Sequence, residues 1–202
     1  MIAKDTTIVI LHGLGNRAWT LIGLEWLLNW NGYTDVFRPQ YDANVHPDTA
    51  CMMLSKQLID HFKGDHNRPF VVIGNSMGGV VGANLHRFRW NIELLITVNS
   101  PLNGSTLLRE LDATLPGKLM ELCGGNTPTC EYLKHLTMNG IPPHPYKTIG
   151  MTFPFTSFDG LVFSKDAMIE PEHHRWIGWG SHHTVPLDAR IYLEILSILQ
   201  TQ

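Results

Sequence analysis

Two rhythms of apolar and polar residues alternate along this chain. Thr7 to Leu11 is a β-branched apolar run that reads as a short buried strand, and His12-Gly13-Leu14-Gly15-Asn16 breaks it into a glycine-rich loop. From Ala18 to Trp30 the apolar residues Trp19, Ile22, Leu24, Trp26, Leu27 and Trp30 recur at helical spacing, and Asn31-Gly32 ends the helix. Tyr33 to Tyr41 reads as a second strand, less buried because polar residues interrupt it. A second helix begins at Pro47 or Asp48, carries Cys51, Leu54, Leu58, Ile59 and Phe62 on one side, and finishes near Lys63-Gly64.

The same alternation continues through the middle of the chain. Phe70 to Gly74 is an apolar strand, a helix follows from Ser76 to about Arg89, and Leu94 to Val98 is a further strand ending at Asn99-Ser100-Pro101. Strand, helix, strand at this spacing predicts an α/β fold with a mostly parallel sheet of about six strands, whose ligands gather outside the carboxyl ends of the strands. Residues 103–145 depart from the pattern. Leu107, Leu108, Leu111, Leu115, Leu119 and Met120 suggest short helices, which Pro116, Gly117, Gly124-Gly125 and Pro128 interrupt. We expect a small cap-like excursion over the sheet at about 105–145, within a single domain spanning 1–202. Tyr146 to Phe153 resumes a strand, Thr156 to Gly160 is a loop, and Trp176 to His183 is a Trp/Gly/His segment ending in a loop. Asp188 to Leu199 closes the chain as a helix with Asp188 as its N-cap.

Composition narrows the function classes. At 202 residues with 44% hydrophobic and 16% charged residues the chain has material for a sizeable core, which argues against disorder. A net charge of −3, without a Lys/Arg cluster to follow a phosphate backbone, argues against a nucleic-acid partner. No apolar segment is long enough to span a bilayer, so stable membrane insertion is not expected. Residues 1–11 lack the pattern of a signal peptide, which leans the expected compartment toward the cytoplasm, with secretion the alternative if a leader has been removed. Cys123 and Cys130 bracket a flexible loop compatible with a disulfide or with two thiols. Oligomeric state is not legible.

The chemistry concentrates at Gly74-Asn75-Ser76-Met77-Gly78-Gly79. A serine on a sharp strand-to-helix turn points its hydroxyl out of the fold while the next amides face the same space, so Ser76 is the nucleophile candidate. The base should come from a late loop, where His182 and His183 follow Gly178-Trp179-Gly180-Ser181 and precede the closing helix. Asp159, in Phe158-Asp159-Gly160, is the candidate acid that orients the imidazole, with Asp166 or Glu170 as fallbacks. The backbone amides of Met77 and Leu14 are the candidate oxyanion donors. A phosphate site in the first loop lacks the required Lys and Ser/Thr. A metal held by His173-His174 and His182-His183 lacks a recognised ligand spacing, and no cofactor is expected.

Taken together these segments resemble the α/β-hydrolase superfamily, and within it the small triacylglycerol lipases and esterases. The similar pieces are His12-Gly13-Leu14-Gly15, Gly74 to Gly79, Asn99 to Ser105, Asp159 to Val162, and the late histidine before a closing helix. The resemblance implies a Ser76, Asp159, His182 or His183 triad with Leu14 and Met77 at the oxyanion hole. It favours His182, which stands nine residues before the apolar helix position Ile191. Asn75 and Asn103 occupy positions where lipases often carry His or Tyr, and His, respectively, which points to a general esterase rather than a lipase proper. The implied substrate is a small acyl ester or lipid-like molecule with a short or medium acyl group. Thioesterase or amidase action by the same residues is the alternative reading, and a non-catalytic binding protein of the same fold is a further one.

Overall fold

A computed structural model describes residues 1–114, 127–136, 144–152, 161–182 and 187–202. Six parallel strands form one sheet: β1 (Thr7–Leu11), β2 (Val36–Phe37), β3 (Phe70–Asn75), β4 (Ile92–Val98), β5 (Tyr146–Thr152) and β6 (His174–Trp179), in the order β2-β1-β3-β4-β5-β6. The parallel arrangement follows from the helices that return the chain between strands. The second strand is shorter than expected. Only Val36 and Phe37 pair with β1, both half-buried at the sheet edge, whereas Tyr33 and Tyr41 are buried outside any strand.

Alternation along the inner strands divides the core into two layers, because successive side chains leave a strand on opposite faces. Val9, Leu11, Phe70, Val72 and Leu95 face α2 (Pro47–His61) and α3 (Met77–Asn84). Ile8, Ile10, Val71, Ile73, Leu94, Ile96 and Val98 face α1 (Ile22–Trp30) and the closing helix. Strands buried on both faces therefore read as continuous apolar runs. On α2, Cys51, Leu54, Leu58 and Phe62 are buried as the spacing predicts, but Ile59 lies 38% exposed, since it sits a quarter-turn beyond Leu58. Burial pushes the Cys51 thiol up to about 12, which makes it inert packing rather than a nucleophile.

The excursion after β4 carries α4 (Thr106–Thr114) and α5 (Pro128–His135), with their ends tied to the body of the fold. Asp166, buried on the short α6 (Ser164–Ala167), accepts from the Thr106 amide at 2.8 Å and the Thr106 hydroxyl at 2.7 Å, completing the first turn of α4. Thr127 caps α5 by accepting from the Cys130 amide, and Thr129 Oγ1 lies 2.6 Å from the Val45 carbonyl and 2.8 Å from that of Ala43. Lys134 on α5 reaches Asp112 on α4 at 2.9 Å and Glu131 at 2.6 Å. The closing helix α7 (Ala189–Thr201) is capped by Asp188, whose side chain accepts from the Arg190 amide, as its position predicts.

Candidate active site

β3 ends and α3 begins at Ser76, whose backbone adopts φ 53° and ψ −122°. A non-glycine residue in that region carries strain on the order of 1–3 kcal/mol, which the surrounding packing must hold in place. The packing is visible at the flanking glycines. A Cβ on Gly74 would strike the Gly78–Gly79 backbone, and one on Gly78 would strike the Leu11 carbonyl. A Cβ on Gly13 would lie 2.9 Å from that of Ser76. Three chain segments thus pass too close to one another for any larger residue. The Ser76 amide donates to the Val98 carbonyl at 2.8 Å, fixing the turn to β4.

His182, three residues beyond the end of β6, brings its Nε2 to 2.8 Å from Ser76 Oγ. Both residues are almost fully buried, at 9% exposure each. Of the two late histidines, His183 lies outside the described residues, as does Asp159. Leu161 and Val162, which follow Asp159-Gly160 directly, line the same cavity as Ser76 and His182. The fallback acids are engaged elsewhere. Asp166 holds the start of α4, and Glu170 accepts from the Tyr146 hydroxyl at 2.8 Å.

Leu14 and Met77 also line this cavity. Among the described residues neither of their amides donates to a protein group. Met77 is the first residue of α3, where amides have no intrahelical acceptor and the helix dipole favours negative charge. Leu14 sits in a turn closed by Asn16 N–H to the Gly13 carbonyl at 3.2 Å, with Gly15 at φ 69° as the turn requires.

The loop carrying Leu14 is held by a network that the linear pattern does not reveal. Gln40 Oε1 accepts from the Ala18 amide at 2.8 Å and its Nε2 donates to the Tyr41 carbonyl at 3.1 Å, which orients the side-chain amide. The same Nε2 faces His12 Nε2 at 3.3 Å, so that ring nitrogen is an acceptor and His12 is neutral with its proton on Nδ1, toward the Gly13 carbonyl at 3.0 Å. Burial lowers the His12 pKa, in the direction that favours this neutral form. Tyr41 stacks on the imidazole and donates its hydroxyl to the His12 carbonyl at 2.5 Å. Gln40 lies 28 residues from His12, and nothing in its local sequence marks the partnership.

The cavity encloses about 340 Å³ at the carboxyl ends of the strands. Its walls are mainly apolar, with Leu107 and Leu108 of α4 and Leu133 and Cys130 of α5 opposite Ser76. Cys130 is buried, and Cys123, its expected neighbour, lies outside the described residues. Leu111 is half-buried and is not among the lining residues, while Leu115, Leu119 and Met120 are not described.

The comparisons agree with this architecture. A Bacillus licheniformis lipase in its mature form superposes with a TM-score of 0.67 at 18% identity, over 97% of this chain and 92% of that one. An Exiguobacterium antarcticum esterase gives 0.66 at 16% identity, over 99% and 94%. A structure reported with carboxylesterases of Nitrososphaera gargenis gives 0.63 at 13%, over 99% and 93%. The chain has the α/β-hydrolase fold. No protein-family model matches it, and no curated protein matches it by sequence. In this hydrolase fold the Ser76–His182 pair and the cavity occupy the strand ends where the sequence pattern places ligands.

Of the histidines considered for a metal, His174 and His182 do not meet, and His183 lies outside the described residues. His174 opens β6 and His182 lies beyond its other end, so the strand separates them, and His174 Nδ1 is engaged by Thr148 Oγ1 at 2.7 Å. Among the described residues the ligating side chains that do converge are Glu170, Glu172 and His173, where Lys147 Nζ stands 3.0 Å from His173 Nδ1. A cation at that distance opposes a metal ion. Among the described residues no helix is long and apolar enough to cross a membrane.

Proposed function

We propose that the protein is a serine hydrolase of carboxylic esters that works through an acyl-enzyme on Ser76. The observation that carries this reading is the 2.8 Å approach of His182 Nε2 to a serine hydroxyl held at positive φ, facing an apolar cavity. Distance and burial suit direct proton transfer. His182 takes the hydroxyl proton as Oγ attacks the acyl carbonyl, and the Leu14 and Met77 amides receive the oxyanion. The protonated imidazole then gives its proton to the leaving alcohol. Water repeats the attack and frees the acid. Asp159 is assigned as the carboxylate that orients His182, a role supported by the entry of the adjoining Leu161-Val162 segment into the cavity. A cavity of about 340 Å³ lies near the lower end of ligand pockets, roughly 300–1,000 Å³, which favours short or medium acyl groups.

The test is a series of p-nitrophenyl esters of rising chain length with wild type and Ser76→Ala in parallel. Turnover in the variant should fall by about 10⁴-fold or more with the fold intact, and a fluorophosphonate should label wild type at Ser76. His182→Ala should lose a comparable factor, and Asp159→Asn should lose activity without loss of fold. Retained turnover in Ser76→Ala would overturn the reading, and hydrolysis of acyl-thioesters with little action on matched oxygen esters would change its substrate class.

A further inference from the structure

The sheet-facing side of α1 is packed in the ordinary way by Leu24 and Leu28, but its outer side is not polar. Trp19 on the preceding turn and Ile22, Trp26 and Trp30 on the helix are exposed by 67%, 42%, 69% and 90%. From residue 18 to residue 31 the exposed positions are Trp19, Ile22, Gly23, Trp26, Asn29 and Trp30, and none carries a charge. The one ionisable side chain of the helix, Glu25, is turned to the Arg38 guanidinium. Charge returns at the two ends of the row, where Arg17 and Lys4 are exposed and Lys4 Nζ lies over the Tyr33 ring.

We propose that this face docks the protein onto the surface of an uncharged or zwitterionic lipid. The outer face of a surface helix ordinarily carries charged and polar residues, and here no described residue covers the apolar row. Indole rings favour the boundary between water and acyl chains, where the ring is sheltered and the N–H stays wet. Flanking cations with no exposed acid between them suit phosphate-bearing headgroups, and an uncharged centre needs no net surface charge to bind. The three indoles offer about 500 Å² of apolar surface, less than the roughly 800 Å² per partner of a stable protein interface. A single convex helix also lacks the pockets that anchor a protein partner. A deformable lipid surface asks for neither.

Placement relates the face to the cavity. The row begins at Trp19, directly beyond the loop whose Leu14, Gly15 and Asn16 line the cavity, and Leu14 and Leu161 stand 38% and 42% exposed on the cavity's wall. Docking at the Trp19 end of the row would bring the lipid to the loop that borders the cavity. The proposal does not rest on ester hydrolysis.

The test uses the full chain with phosphatidylcholine vesicles, read by flotation and by tryptophan emission. Wild type should float with the vesicles, its emission should shift to the blue, and brominated phosphatidylcholine should quench it. Trp19→Ser/Trp26→Ser/Trp30→Ser should bind at least tenfold more weakly while hydrolysing a water-soluble ester at the wild-type rate. Ser76→Ala should bind like wild type, which separates failure of docking from failure of the hydrolase reading. Should the triple variant misfold, Trp26→Ser and wild-type quenching carry the test alone. Absence of quenching, equal binding by variant and wild type, or binding only to anionic vesicles would overturn the proposal. So would a wild-type dimer that the tryptophan substitutions dissolve, which would assign the face to a second copy.

Discussion

α3 and α1 are both rich in apolar residues, yet they meet opposite surroundings. All eight residues of α3 are buried, and its glycines let it press against β1, β3 and the loop after β4. α1 lies on the other layer with one side packed and the other lined by exposed indoles. Composition alone does not say what covers a helix. For α3 the cover is the protein itself, because close approach of three backbone segments holds the strained turn at Ser76. For α1 no described residue covers the outer side, which is the observation behind the proposed lipid contact.

The contrast is sharpest at α3. Gly74→Ala places a methyl against the Gly78–Gly79 backbone, which cannot move without releasing the turn. We expect a loss of about 4 kcal/mol in a urea titration, with activity falling even where the variant folds. A small loss would mean that the turn is far more pliant than its packing indicates.

On α1 the two sides should behave differently within one helix. Leu28 is fully buried, and Leu28→Ala should cost about 3 kcal/mol in the same titration. Trp26→Ala should cost under about 0.5 kcal/mol, as at other exposed sites. Similar losses at both positions would show that the indole row is packed in solution and would break the comparison.

A further effect concerns acid. Burial lowers the pKa of His12, beneath α3, and pushes His144, which faces His86 just past the end of α3, down to about 4. A lowered folded pKa means that the unfolded chain binds the proton more readily. The stabilisation is therefore complete above the unfolded value of about 6.5 and is lost as pH falls toward the folded value. Urea midpoints should decline between pH 7 and pH 4.5, and His144→Gln should flatten that decline. The outer face of α1, which has no titratable group, should contribute nothing to it.

Part of the candidate site is legible because its demands are local. A strand followed by Gly74-x-Ser76-x-Gly78 specifies a tight turn whatever surrounds it, since only glycine tolerates the approach of neighbouring backbone. A late histidine, His182 or His183, is legible from its place ahead of the closing helix, and the Asp188 cap from the ordinary preference of helix starts. The misreadings share one cause. Asp166 looked like a spare acid because chain order cannot show that its carboxylate caps α4, and Tyr33 to Tyr41 looked like one strand because burial there comes from side-chain packing rather than from sheet pairing.

The sequence by itself determined the two-layer parallel sheet and the strained serine turn, because periodicity and glycine placement act over a few residues and leave little freedom. Tertiary structure alone decided that His182 reaches Ser76, that Gln40 orients His12 beneath the Leu14 loop, and that the indole side of α1 is left uncovered by the described residues. Those are relations between segments 28 to 106 residues apart, or between a helix and empty space. They depend on how the layers stack, which no local pattern encodes.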